Sequence, residues 1–459
     1  SALGGNSTGD GNTAVGKQAI ATIASTSNST AVGMRAGWKV TGENNVFMGA
    51  NAAKNATSAD QCIIIGYDAV GTGVMTGDDN TIIGATAGTN ITSGEINIAI
   101  GRNAMHLGVV TGSNNIAIGT ESGDDLTSGG SNVMMGTEAG RNINTGSMNT
   151  CIGNNAGASI TTTSENTYVG NLAAGSGQSG NNVAVGSKAL GSGGHGDYSV
   201  AMGWSAGEDL TGTQTTLIGG EAGRQATSTD ASVAIGYNAM GEGATTGNQN
   251  TIVGAYAGKG MTSGSQSVFI GSYAGQTTTT GDYNICIGRD ARTSSSSSAA
   301  QIVIGANLTG TTNNAVFIGT SAGHRRMDFL DDGTWDSGSD IRMKTNIEDS
   351  NMGLSFINKL RPVIFNWKSP SEFPQEWTDY NAENTEPLTS NTKIGLIAQE
   401  VKEAIDELGI EHYDGTWGER SDGQQEIGAS DYVFPLIKAV QEQQTIIDDL
   451  KARIEELEG

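Results

Sequence analysis

Ser339 and Lys344 are the two side chains whose types and spacing could do covalent chemistry; they sit in the hexapeptide SDIRMK, directly after Gly338. A serine hydroxyl becomes a nucleophile beside a base, and a lysine amine serves as that base once desolvation lowers its pKa. Five residues apart, the two share neither a helix face nor a strand face. They must therefore meet through a turn or across subunits. Gly338 would leave an attacked carbonyl unshielded. In an isolated hexapeptide the commoner reading is plainer: Ser339 and Asp340 cap a helix, and Lys344 is a solvated charge.

Other constellations dissolve on inspection. Cys62, Cys151 and Cys286 are far apart and form no CxxC, which excludes a disulfide framework and a zinc ribbon. Each lies in an apolar stretch, so buried free thiols are expected. His106, His195, His324 and His412 are isolated and read as surface or turn residues. Gly191 to Gly196, GSGGHG, fits GxGxxG, but 69 glycines make a chance match expected and no helix follows. Asp331, Asp332 and Gly333 read as a hairpin turn between Met327 to Leu330 and Trp335 rather than a metal site. No cofactor and no metal are expected.

The elements that must position Ser339 and Lys344 differ sharply on the two sides of Gly338. Residues 1 to 338 carry 13 basic and 24 acidic side chains; the shorter remainder carries 11 and 24. A net charge of -24 argues against nucleic acid and against an anionic membrane surface. No stretch approaches the roughly 20 apolar residues of a membrane span. The chain opens in mid-pattern at Ser1, which reads as a truncation.

Up to residue 323 the chain repeats. Aligned on the glycine that closes each apolar run, Gly16, Gly33, Gly49, Gly66, Gly84 and so on to Gly305 and Gly319 give steps of 16, 17 or 18, with a last step of 14. Such a period marks a solenoid. One before each anchor stands Val, Ile or Met, and three before it Thr, Val or Ile, so each unit holds a short strand with one buried face. Two before it the residue varies from Ala14 to Phe47, Met134, Tyr168 and Cys286. That second face is also apolar and is expected to meet a neighbouring subunit. Four before the anchor Asn dominates, as at Asn12, Asn45, Asn80, Asn115 and Asn250, in place to form ladders. Three after it Ala recurs, where the coil turns back. The remaining residues, such as TGEN before Asn45 and TGDD before Asn80, are turn formers. Nineteen coils at about 4.8 Å would make a rod of about 90 Å.

After Ser339 the pattern is mixed. Leu360 to Lys368 is strand-like, Lys393 to Leu408 is a strand feeding a helix, and a long helix closes the chain. In it Val433, Leu436, Val440, Gln443, Ile447, Leu450, Ile454 and Leu457 alternate steps of 3 and 4, a coiled-coil seam. Ile at the first position with Leu at the second favours two strands in isolated coils.

Two resemblances follow. Over residues 12 to 323 the pattern of Asn, β-branched, any, aliphatic, Gly, two residues and Ala resembles the head repeats of trimeric autotransporter adhesins, a left-handed parallel β-roll of three chains; similar repeats occur in phage fibres. SDIRMK at 339 to 344, LRPVIFNWK, GLIAQEV at 395 to 401 and YVFPLIKAVQEQ together resemble the C-terminal intramolecular chaperone of phage tailspikes and fibres, first associated with endosialidases. That resemblance implies a homotrimer whose chaperone folds the fibre and then cleaves itself off. It places the scissile bond between Gly338 and Ser339, makes Ser339 the nucleophile and makes Lys344 its base.

The expected fold is mainly β: a trimeric parallel β-roll of about 17-residue repeats, then a small α/β chaperone domain ending in a coiled coil. The divisions are a shaft at 1–323, a connector hairpin at 324–338, a chaperone and autoprotease core at 339–432 and a coiled coil at 433–459. The expected protein is a phage tail fibre, assembled in the host cytoplasm and carried on the virion, with a single-turnover serine autoprotease and a host-surface glycan or protein as receptor. A bacterial trimeric adhesin is one alternative, although no membrane-anchoring barrel is in evidence. The distal part of a glycan-depolymerising tailspike is another; a glycosidase needs two positioned carboxylates, and here the acids are scattered over loops, so its enzyme domain is expected upstream of Ser1. Trp38, Trp204 and Tyr237 are candidate glycan contacts, though an aromatic on a roll is more often packing.

Overall fold

The computed structural model describes residues 2–4, 8–21, 25–241, 243–328, 335–336, 341–387, 389–411 and 415–458. The chain divides into two compact units, 1–337 and 338–459. The first is a β-solenoid, and the second a small mixed domain with a long terminal helix.

Each solenoid coil contributes one short strand. Strands β1 (Thr13–Val15) to β17 (Ile285–Ile287) hold three residues each, followed by β18 (Gln301–Ile304) and β19 (Ala315–Thr320). Every strand pairs in parallel with the next, at equivalent positions such as Ala117 opposite Met134 and Met134 opposite Cys151. The ladder ends by reversal. Strand β20 (Gly323–Asp328) runs back antiparallel along β19, and β21 (Trp335–Asp336) pairs with β20, Met327 facing Trp335. The turn expected at Asp331 to Gly333 lies outside the described residues.

The buried face of the strand is the opposite of the one expected. The central residue points inward: Phe47, Ile82, Met134, Cys151, Tyr168 and Phe269 are all fully buried. The uniform flanking residues point out, with Val15 57% exposed, Met48 42%, Ile63 40% and Ile270 39%. The physical reason is space. A coil of about 17 residues has room inside for a single strand side chain, and its size must match what the turns of that coil bring. Opposite it lie the alanines three past each anchor, such as Ala36, Ala69 and Ala139, fully buried. A buried Phe or Met here contributes roughly 1.5–3 kcal/mol.

The anchor glycines are required by two constraints at once. Their φ lies between +125° and +146°, and a Cβ on Gly136 would come 2.5 Å from the carbonyl oxygen of Gly153. Backbone meets backbone there, so no side-chain movement relieves the clash.

Two side-chain ladders tie the coils axially. In the expected one, Asn97, Asn115, Asn132 and Asn149 each accept, through Oδ1, the backbone N–H of the Asn in the next coil at 2.9–3.1 Å. Their Nδ2 groups also donate onward, as from Asn132 to the Gly146 carbonyl at 2.9 Å. The second ladder runs six residues before the anchor and in the reverse sense. Asp230 donates its N–H to Asn248 Oδ1 at 2.8 Å, Asn248 to Ser265 Oγ at 3.1 Å, and Ser265 to Asp282 Oδ1 at 2.8 Å. These buried or half-buried amides would otherwise go unpaired.

In the second unit, α1 (Leu354–Ile357), β22 (Val363–Phe365) paired antiparallel with β23 (Lys393–Gly395), and α2 (Ala398–Glu407) precede a small ribbon, β24 (Gly418–Glu419) with β25 (Gln425–Glu426). The closing helix is α3 (Val433–Glu458). Its core gathers Met352, Phe356, Val401, Ala404 and Ile405, with Tyr432 stacked on Phe356. Pro435 and Ala439 of α3 are buried, and Glu442 accepts the Leu354 N–H at 2.7 Å, tying α1 to α3. The other face of α3 is bare: Leu436, Val440, Ile447, Leu450 and Ile454 are each 40–56% exposed.

Candidate cleavage site and its supporting domain

Of the three residues assigned to cleavage, Gly338 and Ser339 lie outside the described residues, and Lys344 lies within them. A single 3-10 turn, Ile341–Met343, stands between Ser339 and Lys344, closed by the Lys344 N–H donating to the Ile341 carbonyl at 3.1 Å. Lys344 is exposed, as are Ile341 (72%) and Ile347 (63%). A lysine amine acts as a base only when desolvated. The base role expected for Lys344 would therefore need its amine to lose water.

The family comparison begins at the same boundary. Residues 339–410 match the family described as the chaperone of endosialidase. The match opens on Ser339 and ends just past α2, so the chain carries a chaperone-of-endosialidase domain, with β24, β25 and α3 beyond the matched stretch. No curated protein matches the chain.

Elsewhere in the second unit a groove of about 780 Å³ lies between β22, β23 and β25, lined by Val363, Phe365, Trp367, Trp377 and Ile427 among others. Its cations are held by carboxylates, Arg361 by Glu400 and Arg420 by Asp379. Lys344 does not line it, and among the described residues it offers no nucleophile beside a base.

The solenoid's three thiols are buried. Burial pushes the thiols of Cys62, Cys151 and Cys286 up to about 12, so they carry no appreciable thiolate and are inert. Among the described residues, no group of three or more His, Cys, Asp or Glu side chains is placed to hold a metal ion, and no helix is long and apolar enough to cross a membrane.

Two histidines depart from the surface reading. His106 is half-buried, with Nδ1 3.4 Å from Asp124. His195 is 1% exposed, inside the solenoid. The signal was its offset: it stands nine residues past Gly186, where the coils after Gly66 and Gly101 carry the buried Met75 and Val110. The aromatic edge is also more continuous than the sequence suggested. Tyr237 meets Tyr256 edge-on at 5.4 Å and Tyr256 stacks on Tyr273 at 5.0 Å, while Tyr237, Tyr273 and nearby Trp204 keep 39–53% of their surfaces exposed.

Proposed function

We propose that the chain is a homotrimeric phage tail fibre: a β-solenoid shaft, followed by a chaperone that aligns three copies and then releases itself between Gly338 and Ser339. The observation that carries this reading is the coincidence of three boundaries, since the solenoid unit ends at 337, the chaperone family match opens at 339, and SDIRMK begins there.

Three copies are supported by surface that a single chain leaves uncovered. The outward Val, Ile and Met of every strand form an apolar column along the sheet, and the bare seam of α3 forms another. Both are contiguous apolar surfaces of the kind that a partner covers. The exposed position of Lys344 fits the same assembly, because a neighbouring copy would supply the desolvation its amine needs.

In the proposed cleavage, Ser339 Oγ attacks the Gly338 carbonyl carbon while Lys344 takes the hydroxyl proton. The C–N bond breaks, the proton passes to the leaving Ser339 nitrogen, and Gly338 is held as an ester. One water then hydrolyses that ester, leaving a Gly338 carboxylate and a free Ser339 amine with its hydroxyl restored. The aromatic edge at Trp204, Tyr237, Tyr256 and Tyr273 supports a glycan receptor, since flat exposed rings stack on sugar rings.

Intact mass of the purified full chain, with and without Ser339→Ala, tests the reading. Two fragments dividing after Gly338 are expected from the unaltered chain and one from the variant. An unaltered chain that stays whole under native conditions removes the autoprotease.

A further inference from the structure

Among the described residues, His195 is the one histidine buried inside the solenoid. Two adjacent coils, following Gly170 and Gly186, carry Gly177 and Gly193 seven residues past the anchor, where others carry Val40, Leu126, Ile143, Ile160 or Leu210. Coils after Gly66 and Gly101 also have glycine there, and they refill the core with Met75 and Val110 two residues later. In these two coils the refilling residues are Ser179 and His195. The imidazole occupies the space over Gly177 so fully that a Cβ on Gly177 would lie 1.7 Å from Nε2.

The hydrogen bonding around the ring suits a neutral imidazole. Nδ1 lies 2.9 Å from Ser179 Oγ, and Asn182 Nδ2 donates to that same oxygen at 3.0 Å. Nε2 is buried and has no hydrogen-bond partner; the Tyr168 hydroxyl, also fully buried, makes no hydrogen bond either. The Tyr168 ring stands edge-on to the imidazole at 6.1 Å. Protonation would make both ring nitrogens donors. The new N–H would then have no acceptor, and the cation no adjacent carboxylate.

The titratable groups facing the ring do not alter this. Tyr168, and Cys151 behind it, are held neutral by burial. Asp197 acts on the ring from an exposed position, with its Oδ1 already accepting the Gly180 N–H at 2.8 Å. The Asn ladder changes here: Asn182 turns its Nδ2 to Ser179 while its Oδ1 still accepts the N–H of the next position, Ser199, at 2.7 Å.

We propose that the coils from Leu172 to Tyr198 form an acid-released joint in the shaft, latched by neutral His195 and opened when that side chain takes a proton. The flanking coils stay closed, because their cores hold no ionisable group of this kind. Burial holds the His195 pKa down at about 4, against an ordinary 6.5, with Asp197 acting weakly the other way. The sign follows: the closed coils exclude the proton, the opened coils accept it, and closure weakens as pH falls from 6.5 to about 4. From pH 7 to 4 the opening equilibrium shifts by about 100-fold.

Hydrogen exchange on the full chain tests this, read as protection factors so that the intrinsic pH dependence of exchange is removed. Residues 172–198 are expected to lose about 100-fold protection between pH 7 and 4, while residues 246–270, which hold no acidic side chain, histidine or cysteine, keep theirs. His195→Met, which copies Met75 at the same offset, should flatten the profile; His195→Gln, which keeps a polar group and cannot protonate, should flatten it even if the Met variant folds poorly. Protection at 172–198 that is indifferent to pH, that falls equally in 246–270, or that falls unchanged in His195→Gln overturns the proposal.

Discussion

Replacing Asn132 by Ala removes one rung from the middle of the longest Asn ladder. Asn132 is fully buried; its Nδ2 donates to Asn115 Oδ1 at 3.0 Å and to the Gly146 carbonyl at 2.9 Å, and its Oδ1 accepts the Asn149 N–H at 3.0 Å. Alanine strands two buried backbone groups, the Asn149 N–H and the Gly146 carbonyl, at about 1–3 kcal/mol each. The cost is therefore about 4 kcal/mol per chain, or nearly three decades in a local opening equilibrium. Stability in a repeat array is a sum of local and nearest-neighbour contributions, so the loss should stay near the altered coil. Hydrogen exchange over residues 115–150 reads it directly. Asn154→Ala, whose amide is exposed and reaches the Thr137 carbonyl at only 3.4 Å, should cost less than about 0.5 kcal/mol. An Asn132→Ala loss no larger than that of Asn154→Ala would refute the claim that the ladder holds the coils together.

Two more outcomes follow from the same geometry. Gly136→Ala should prevent normal stacking of its coil, because the added methyl would lie 2.5 Å from the Gly153 oxygen at a φ of +135°; Gly194→Ala, with nothing within 4 Å of its Cβ, should fold, and soluble yield with circular dichroism separates the two. Ile447→Glu combined with Leu450→Glu alters only exposed positions of α3, so the single-chain domain should fold while sedimentation shows loss of the proposed trimer and intact mass shows loss of the proposed cleavage after Gly338. A monomer that still cleaves would mean that Ser339 and Lys344 act within one chain.

The period, the strand positions and the Asn ladder were legible because each rests on a residue type at a constant offset. Which face of the strand turns inward was not. A three-residue strand apolar on both faces has no polar side to betray its orientation, and uniformity reads as burial. The reverse holds: the inward column varies from Ala117 to Tyr168 because each coil closes around a different volume, and the outward column can be monotonous. The ladder six before the anchor was present as Asp60, Asp78, Ser147, Ser164, Asp230 and Asp282, but these residue types also build turns, and nothing local separates the two uses. His195 was hidden for a related reason, since its offset matters only once two glycines are seen to have emptied the core beside it. Ser339 and Lys344 stand out only through the domain around them, because five intervening bonds of ordinary chain carry no signature of a catalytic pair.

The monotonous outward column has a further consequence for how such a protein changes over generations. A duplication of one repeat inserts a coil whose outer side chains match those above and below it, so the shaft lengthens by about 4.8 Å without any new surface to be invented. Deletion shortens it by the same step. Reach is thereby a counted quantity, adjustable in units of one coil, while the inward residue of each new coil is free to drift with the turns that enclose it.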